Sequence, residues 1–279
     1  MARTELAFAN SAHFLLCGGV VNSATMATSV MSKPVVLPRG AYDRVFYSGM
    51  AVVMALTVLI GFARTYYLSA YFGTHATFGG RPFSTIVRLH AALFTTWVLL
   101  FVVQTSLVAR HRVAVHRRLG IAVGTLAGLM IVVGTATALQ LALSGGAPPG
   151  VDPLVFLAVP LGDMVVFGSL VTAALGLRRN KEAHKRLMLL AYTAILAAAV
   201  ARFPGVLPLG PLWFFGLTFL PVLALGVTYD LLTRRRIHPA YLWGGALLIV
   251  SVPVRLMISN TQGWRWLAER LVEVAKLYS

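Results

Sequence analysis

Three histidines occupy the same place in a repeated local pattern. His116 opens the string HRRLG, His184 opens HKRLM and His238 opens HPAYLWGG; each follows a cluster of arginines and leads into a long apolar run. Two neutral imidazoles from neighbouring helices at one depth can supply both axial ligands of a b-type haem, and nearby arginines can pair with its propionates. Haem b is therefore one interpretation of the pattern, with His116 and His184 as the better pair because both stand in an H-[RK]-R-L context.

Two other interpretations of the histidines stay open. A histidine in the first turn of a helix can lie at the membrane interface, where its ring reaches headgroup phosphates. Three histidines could also hold a non-haem metal ion, although Asp230 is the only inner carboxylate placed to complete such a site. His90 lies about 20 residues, or roughly 30 Å of helix, from Arg110, so it cannot share a site with the inner three. As an outer haem ligand it would need His75 as its mate.

Four arginines stand at the outer ends of apolar runs, where cations are unusual. They are Arg64, Arg88, Arg202 and Arg255. Their side chains either extend to lipid headgroups or converge on an anion, such as a propionate, a carboxylate substrate or a headgroup. The second interpretation predicts a ligand site at the outer side.

Asp163 is the most informative single residue. It falls about ten residues into its apolar run, roughly 15 Å deep, where a carboxylate costs several kcal/mol unless it is protonated or paired. The candidate partners at the outer side are Arg202, Arg88 and His90. We expect Asp163 either to bind a ligand or to form a structural pair with an outer arginine.

The elements that must position these residues are membrane-spanning helices. The chain has 279 residues, of which 58% are hydrophobic and 11% charged, and its mean hydropathy is +0.80. A soluble domain carries roughly 25% charged residues, and the apolar runs do not alternate as barrel strands would. We therefore predict an all-α, polytopic membrane helix bundle. Its seven spans are 46–68, 86–108, 119–143, 153–177, 187–203, 209–232 and 240–260.

The loops between these spans alternate between two types, which predicts the orientation. Every second loop is basic, as in RHRVAVHRR, RRNKEAHKR and TRRRIHP, whereas the others are rich in glycine and proline. Basic loops stay in the cytoplasm, which places the N-terminus inside and the C-terminus outside. The net charge of +16 is thus an orientation signal. It does not indicate nucleic-acid binding, because the cations are not interleaved with aromatic residues on one surface.

The two ends of the chain differ from the bundle over 46–260. Residues 1–45 resemble a poor signal peptide and are expected to be a disordered cytoplasmic extension, or to precede a later translation start. Residues 261–279 form an amphipathic stripe with two tryptophans, which predicts a helix lying on the outer membrane surface. The single Cys17 excludes an intramolecular disulfide.

Longer strings in the chain carry a resemblance. GFARTYYL, LHAALFTTWVLLFVVQTSLVARHRVAVHRRLG, HKRLMLLAYTAILAAAVARF and RRRIHPAYLWGG together resemble an uncharacterised family of bacterial multi-pass membrane proteins, over about 45–260. A looser similarity is to cytochrome b561-like and ferric-reductase-like membrane cytochromes. That similarity implies His116, His184 and His90 as haem ligands. The chain departs from it because its inner histidines lie at helix starts.

Three classes of function follow. The first is a membrane redox protein of the bacterial cytoplasmic membrane that carries haem b or engages quinone through the inner histidines. The second is a carrier for a small molecule or lipid headgroup that uses Asp163 and the outer arginines. The third is a non-catalytic assembly or sensory subunit in the lipid bilayer. No nucleotide-binding loop, HExxH or GxSxG motif is present, so the sequence does not indicate a kinase or hydrolase.

Overall fold

A computed structural model describes residues 39–73, 77–78 and 81–277. The helices are α1 (Arg39–Phe62), α2 (Thr85–Ala109), α3 (Val113–Leu143), α4 (Pro153–Phe156), α5 (Ala158–Gly176), α6 (Lys181–Ile195), α7 (Ala197–Val200), α8 (Pro211–Arg234), α9 (Pro239–Ile258) and α10 (Gln262–Lys276). A π-helix over Ala63–Tyr67 continues α1, and a 3₁₀ turn covers Leu207–Leu209. The antiparallel strands β1 (Thr77–Phe78) and β2 (Arg81–Pro82) form a minimal hairpin.

The protein is an all-α, multi-pass membrane protein by the length and composition of its helices. Seven of the described helices are long and apolar enough to span a membrane: Tyr42–Tyr67, Thr85–Ala109, Val113–Leu143, Pro153–Gly176, Lys181–Val200, Pro211–Arg234 and Pro239–Ile258. The predicted spans are confirmed with shifted ends. The third begins at Val113 rather than at 119. The predicted extension over 1–45 lies outside the described residues as far as 38, whereas 39–45 belong to α1.

Side-chain caps fix several of the helix starts. Asp152 accepts the Leu154 N–H at 2.8 Å and is followed by proline at the first helical position. Asn180 accepts the N–H groups of Glu182 and Ala183, both at 3.1 Å, at the start of α6. Such caps satisfy backbone donors that a helix start leaves unpaired. The two caps therefore fix where the fourth and fifth spans begin, each at the end of a loop.

The fifth span, α6 with α7, lies at the centre of the bundle. It packs against α5, α8 and α9 as well as α1, and most of its side chains are buried. α7 and α1 approach each other closely at Gly61. A Cβ added to Gly61 would lie 2.5 Å from the Ala199 carbonyl oxygen, so only glycine fits there. We call the end of the bundle with the basic loops the inner end and the opposite end the outer end.

The predicted amphipathic helix is confirmed as α10, and it packs on protein as well as facing outward. Ala268 is fully buried against Leu157 and Ala138. The indole Nε1 of Trp264 donates to the Leu154 carbonyl oxygen at 2.8 Å. Trp266 and other large apolar side chains of the same helix stay exposed, as suits a helix at a membrane surface.

Candidate functional site

The structure brings two of the three inner histidines together. The rings of His116 on α3 and His184 on α6 have centroids 6.4 Å apart and are nearly perpendicular. The Nδ1 atom of His184 lies 2.8 Å from the Ala174 carbonyl oxygen. Because a carbonyl only accepts, Nδ1 carries the proton in this contact. The neutral ring of His184 therefore keeps its lone pair on Nε2, as metal-binding histidines commonly do.

His116 has a different partner on α2. With the Gln104 amide oriented to satisfy both of its ends, its nitrogen donates to His116 Nδ1 at 2.6 Å and its oxygen accepts the Gly120 N–H at 3.1 Å. Nδ1 is then an acceptor, so the proton of neutral His116 lies on Nε2. Binding of an iron through His116 Nε2 would require the Gln104 amide to turn over. The distance between the two rings thus fits a pair of axial ligands. In these contacts, however, only His184 leaves its Nε2 free of a proton, as an axial ligand requires.

His238 does not join this pair. Its Nδ1 accepts the Ala240 N–H at 3.1 Å, which caps α9, and its backbone N–H donates to Asp230 Oδ2 at 3.1 Å. Over 39–73 and 81–277 no group of three or more histidine, cysteine, aspartate or glutamate residues could hold a metal ion. The interpretation of the three histidines as one metal site is therefore wrong.

Asp230 instead belongs to a charge cluster that the sequence pattern alone does not predict. Arg186 and Asp230 are both fully buried, and the Nε of Arg186 donates to Asp230 Oδ2 at 2.9 Å. A second nitrogen of Arg186 bonds the other carboxylate oxygen, which makes the pair bidentate. Glu182 also accepts from Arg186 at 2.7 Å. The signal in the sequence is Asp230 itself, an acid within an apolar run close to arginines.

The more exposed part of this cluster joins α1 to α6 and α8. Asp43 accepts from Lys185 Nζ at 2.7 Å and from the Tyr229 hydroxyl at 2.7 Å. Arg234 reaches both Asp43, at 3.1 Å, and Glu182, at 2.7 Å. We call Asp43, Glu182, Lys185, Arg186, Asp230 and Arg234 the inner charge cluster. Because its charges are mutually paired, the cluster holds the helices together rather than presenting a charge to a ligand.

The structure pairs Asp163 with Arg255 of α9, and not with the expected partners. Arg255 Nη1 donates to Asp163 Oδ1, and its other nitrogens bond the hydroxyl and carbonyl oxygens of Ser251 at 2.8 and 3.1 Å. Arg255 is 6% exposed and Asp163 is 15% exposed. The expected pair between Asp163 and an outer arginine is confirmed, but the prediction that the partner is Arg202, Arg88 or His90 is wrong. Sequence spacing gives depth along a helix but not the direction that a side chain takes around it.

The four outer arginines do not converge on one point. Arg88 is exposed on α2 and does not line the cavity described below. The guanidinium of Arg64 lies 5.6 Å from the Phe72 ring centroid. Arg255 is bound to Asp163, which leaves Arg202 as the member of the four whose charge meets a cavity without a carboxylate beside it among the described residues.

Arg202 follows α7 at the outer end of the bundle. Its guanidinium lies 3.9 Å from the Phe62 ring centroid, and its Nε donates to Thr65 Oγ1 at 3.3 Å. In the described part of the chain no carboxylate oxygen lies within 4.0 Å of it. Arg202 is exposed at this end of the bundle, and partial desolvation by the protein atoms around its guanidinium lowers the pKa of Arg202 to about 10. The side chain remains positively charged at pH 7.

The cavity beneath Arg202 has a volume of about 550 Å³. Its lining comes from α1, α2, α3, α4, α5, the α6–α7 span, the 3₁₀ turn and α8, and it consists mostly of apolar side chains. The lining also contains threonine and tyrosine hydroxyls, together with Arg202, His90 and Asp163. The His90 ring stacks on Phe94, with centroids 4.0 Å apart, and its Nδ1 has no hydrogen-bond partner among the described residues.

His90 therefore lines the cavity, and its role as an outer haem ligand stays a prediction. Its proposed mate, His75, lies outside the described residues. The π-helix that ends α1 contributes Thr65 and two tyrosines to the same lining. This departure from α-helical geometry has no signal in the sequence, although such turns are frequent at functional sites.

No protein-family model, no curated protein and no solved structure matches this chain.

Proposed function

We propose that this protein binds an amphipathic anion in the outer cavity and acts as a membrane carrier for it. The observation that carries the proposal is the charge of Arg202, which has no carboxylate partner among the described residues and stands at the outer end of a mostly apolar cavity of about 550 Å³. Cavities of this size hold drug-sized molecules, and a few polar groups in an apolar lining set their orientation.

Arg202 and the apolar lining of the cavity favour different parts of one ligand, an anionic head and an apolar body. A guanidinium binds a carboxylate or phosphate through two parallel hydrogen bonds. The apolar lining below it favours a hydrocarbon body, with roughly 25 cal/mol gained for each Å² of apolar surface that leaves water. A soluble sugar phosphate would gain nothing from the lining, and an uncharged lipid would gain nothing from Arg202. The combination supports a molecule with an anionic head and an apolar body.

The location of the protein is part of the proposal. The distribution of basic loops supports a bacterial cytoplasmic membrane with those loops inside. Arg202 and the cavity then face the outer half of the bilayer, and α10 lies on the outer surface. A ligand would therefore enter from the outer leaflet or from the space outside it.

Binding can be tested on the full chain reconstituted in phosphatidylcholine nanodiscs, with empty nanodiscs as the blank. We expect dodecanoate to bind by isothermal titration, and dodecyltrimethylammonium, which has the opposite charge, not to bind. Arg202→Gln should weaken dodecanoate binding at least about tenfold, because a hydrogen-bonded charge pair contributes roughly 1.5–3 kcal/mol. Arg88→Gln is the matched control, since Arg88 is an outer arginine away from the cavity. Equal affinity in the Arg202 variant and the control would refute the proposal.

Haem b at the inner histidines is a second candidate, favoured by the 6.4 Å separation of the His116 and His184 rings. When bound there, haem would supply one-electron transfer, with quinone as its partner in the membrane. The chain would contribute His184 Nε2 directly and His116 Nε2 after rotation of the Gln104 amide. Arg117 and Arg118 follow His116 and are exposed, so they are available to propionates.

The absorption spectrum of the purified protein decides this second candidate. A haem site predicts a Soret band that is lost in both His116→Ala and His184→Ala. His111→Asn is the control, because His111 is exposed in the neighbouring loop and asparagine tolerates its positive φ of 60°. A protein produced with sufficient haem and showing no Soret band would exclude it.

A further inference from the structure

Asp163 has one carboxylate oxygen to which no described residue donates. Its Oδ1 accepts from Arg255 Nη1, whereas Oδ2 accepts no hydrogen bond from the described residues. Asp163 lines the cavity and is 15% exposed. Because the surrounding lining is mostly apolar, an acceptor at this position costs free energy unless something in the cavity donates to it.

Arg255 is held too firmly to turn and cover both oxygens. Besides Asp163, it donates to the Val159 carbonyl oxygen at 3.2 Å and to both oxygens of Ser251, and it lies over the Phe215 ring at 5.2 Å. A Cβ added to Gly162 would lie 3.3 Å from Arg255 Nε, so glycine there gives the guanidinium its room. The pairing through Oδ1 alone is therefore built into the packing.

The second oxygen of Asp163 and the charge of Arg202 enter the cavity from different helices. Arg202 stands just beyond the outer end of α7, whereas Asp163 is about ten residues, or roughly 15 Å of helix, past the outer start of its span at Pro153. The cavity thus offers a positive charge at its outer end and a hydrogen-bond acceptor further along its wall.

We propose, resting on the proposed function above, that the ligand carries a hydroxyl group at the end opposite its anionic head and that Asp163 Oδ2 accepts its hydrogen bond. The Asp163–Arg255 pair is neutral as a whole, so a neutral donor needs no further countercharge, whereas an ammonium group would meet Arg255 nearby. The ligand class is an amphipathic acid with a hydroxyl at its far end.

Matched probes test this inference in the same nanodiscs. We expect 12-hydroxydodecanoate to bind at least about tenfold more tightly than dodecanoate, as expected for a hydrogen bond to a charged acceptor. The isomer 2-hydroxydodecanoate, with its hydroxyl beside the head, should show no such gain. This comparison uses only the unaltered protein, so it does not depend on a variant folding.

A double variant locates the effect. Asp163→Leu combined with Arg255→Met removes both charges and the hydrogen-bond acceptor together, which avoids a buried unpaired arginine. In it the ratio of the two affinities should fall close to one, whereas Arg88→Gln should keep the wild-type ratio. A ratio that persists in the double variant would overturn the inference.

The outcomes separate this inference from the proposed function. If dodecanoate and 12-hydroxydodecanoate bind equally to the unaltered protein, the inference is wrong and the proposed function stands. If neither probe binds, the proposed function fails and the inference fails with it. Tighter binding of the 2-hydroxy isomer would place the hydroxyl at Arg202 and would also overturn the inference.

Discussion

At the scale of single residues, the partners of buried charges are the hardest feature to predict. Asp163 stands out in the sequence because an acid in an apolar run is costly, and its cost is indeed offset by an arginine. The arginine is Arg255, 92 positions further along the chain. Spacing places a residue at a depth along its own helix. Which neighbouring helix it faces depends on packing that no local pattern records.

The buried pair of Arg186 and Asp230 carries a prediction at this scale. Asp230→Asn leaves a fully buried guanidinium without its counter-ion, so it should lower the free energy of unfolding by roughly 3–5 kcal/mol. Unfolding in mixed detergent and sodium dodecyl sulfate measures this change. Glu273→Gln is the control, because the Arg270–Glu273 pair is more than half exposed and should contribute less than about 1 kcal/mol. Similar losses in both variants would contradict the structural role of the inner charge cluster.

At the scale of elements, the sequence is most informative where helices begin. The patterns at Asp152-Pro153, Asn180 and His238-Pro239 all form capped starts, because caps are local chemistry. Other boundaries are less well defined. Helix α1 begins at Arg39, within the stretch predicted to lie outside the bundle, and the π-helix after Phe62 has no local signal. Both depend on contacts between helices.

The cap of α9 carries a prediction about pH. His238 Nδ1 accepts the Ala240 N–H, which only a neutral ring can do, and burial lowers the pKa of His238 below its ordinary value of 6.5. A depressed pKa in the folded state favours the neutral form, so this contribution is complete above pH 6.5 and is lost as the pH falls through the lower folded pKa.

We expect the stability of the wild type to fall relative to His238→Asn as the pH is lowered from 7 toward 5. Asparagine caps a helix without titrating in this range, and the difference should reach about 1 kcal/mol. Thermal unfolding of the two proteins at matched pH values measures it, and the other histidines cancel in the comparison. Parallel pH profiles would show that the ring does not act as the cap.

At the scale of the whole molecule, composition predicts the architecture well. Length and apolar content dictate seven spanning helices because backbone polar groups must be satisfied within each span, and all seven are present. The cavity is not predictable in this way, since its lining comes from helices spread along the chain from α1 to α8. Arg202 and His90 both stand out in the sequence, but the lack of a described carboxylate beside Arg202 is visible only in three dimensions.

The orientation is the whole-molecule prediction. In a chain whose Cys17 is replaced by serine, a cysteine introduced as Arg179→Cys should react with a membrane-impermeant maleimide only after cells are opened. Pro149→Cys, in an exposed loop at the opposite end, should react in intact cells. Labelling of both positions from the same side would disprove the alternation of loops on which the inner and outer ends are defined.

The lone charge of Arg202 has a practical consequence for isolating the protein. Its guanidinium has no carboxylate partner among the described residues, so an anion that fits the cavity should bind the folded protein and raise its melting temperature. At one hundred times its dissociation constant, such a compound adds about 2.7 kcal/mol to the folded state. A thermal-shift screen of extracted cell lipids and organic acids could therefore find the natural occupant directly, and gentle extraction from native membranes should bring that occupant along.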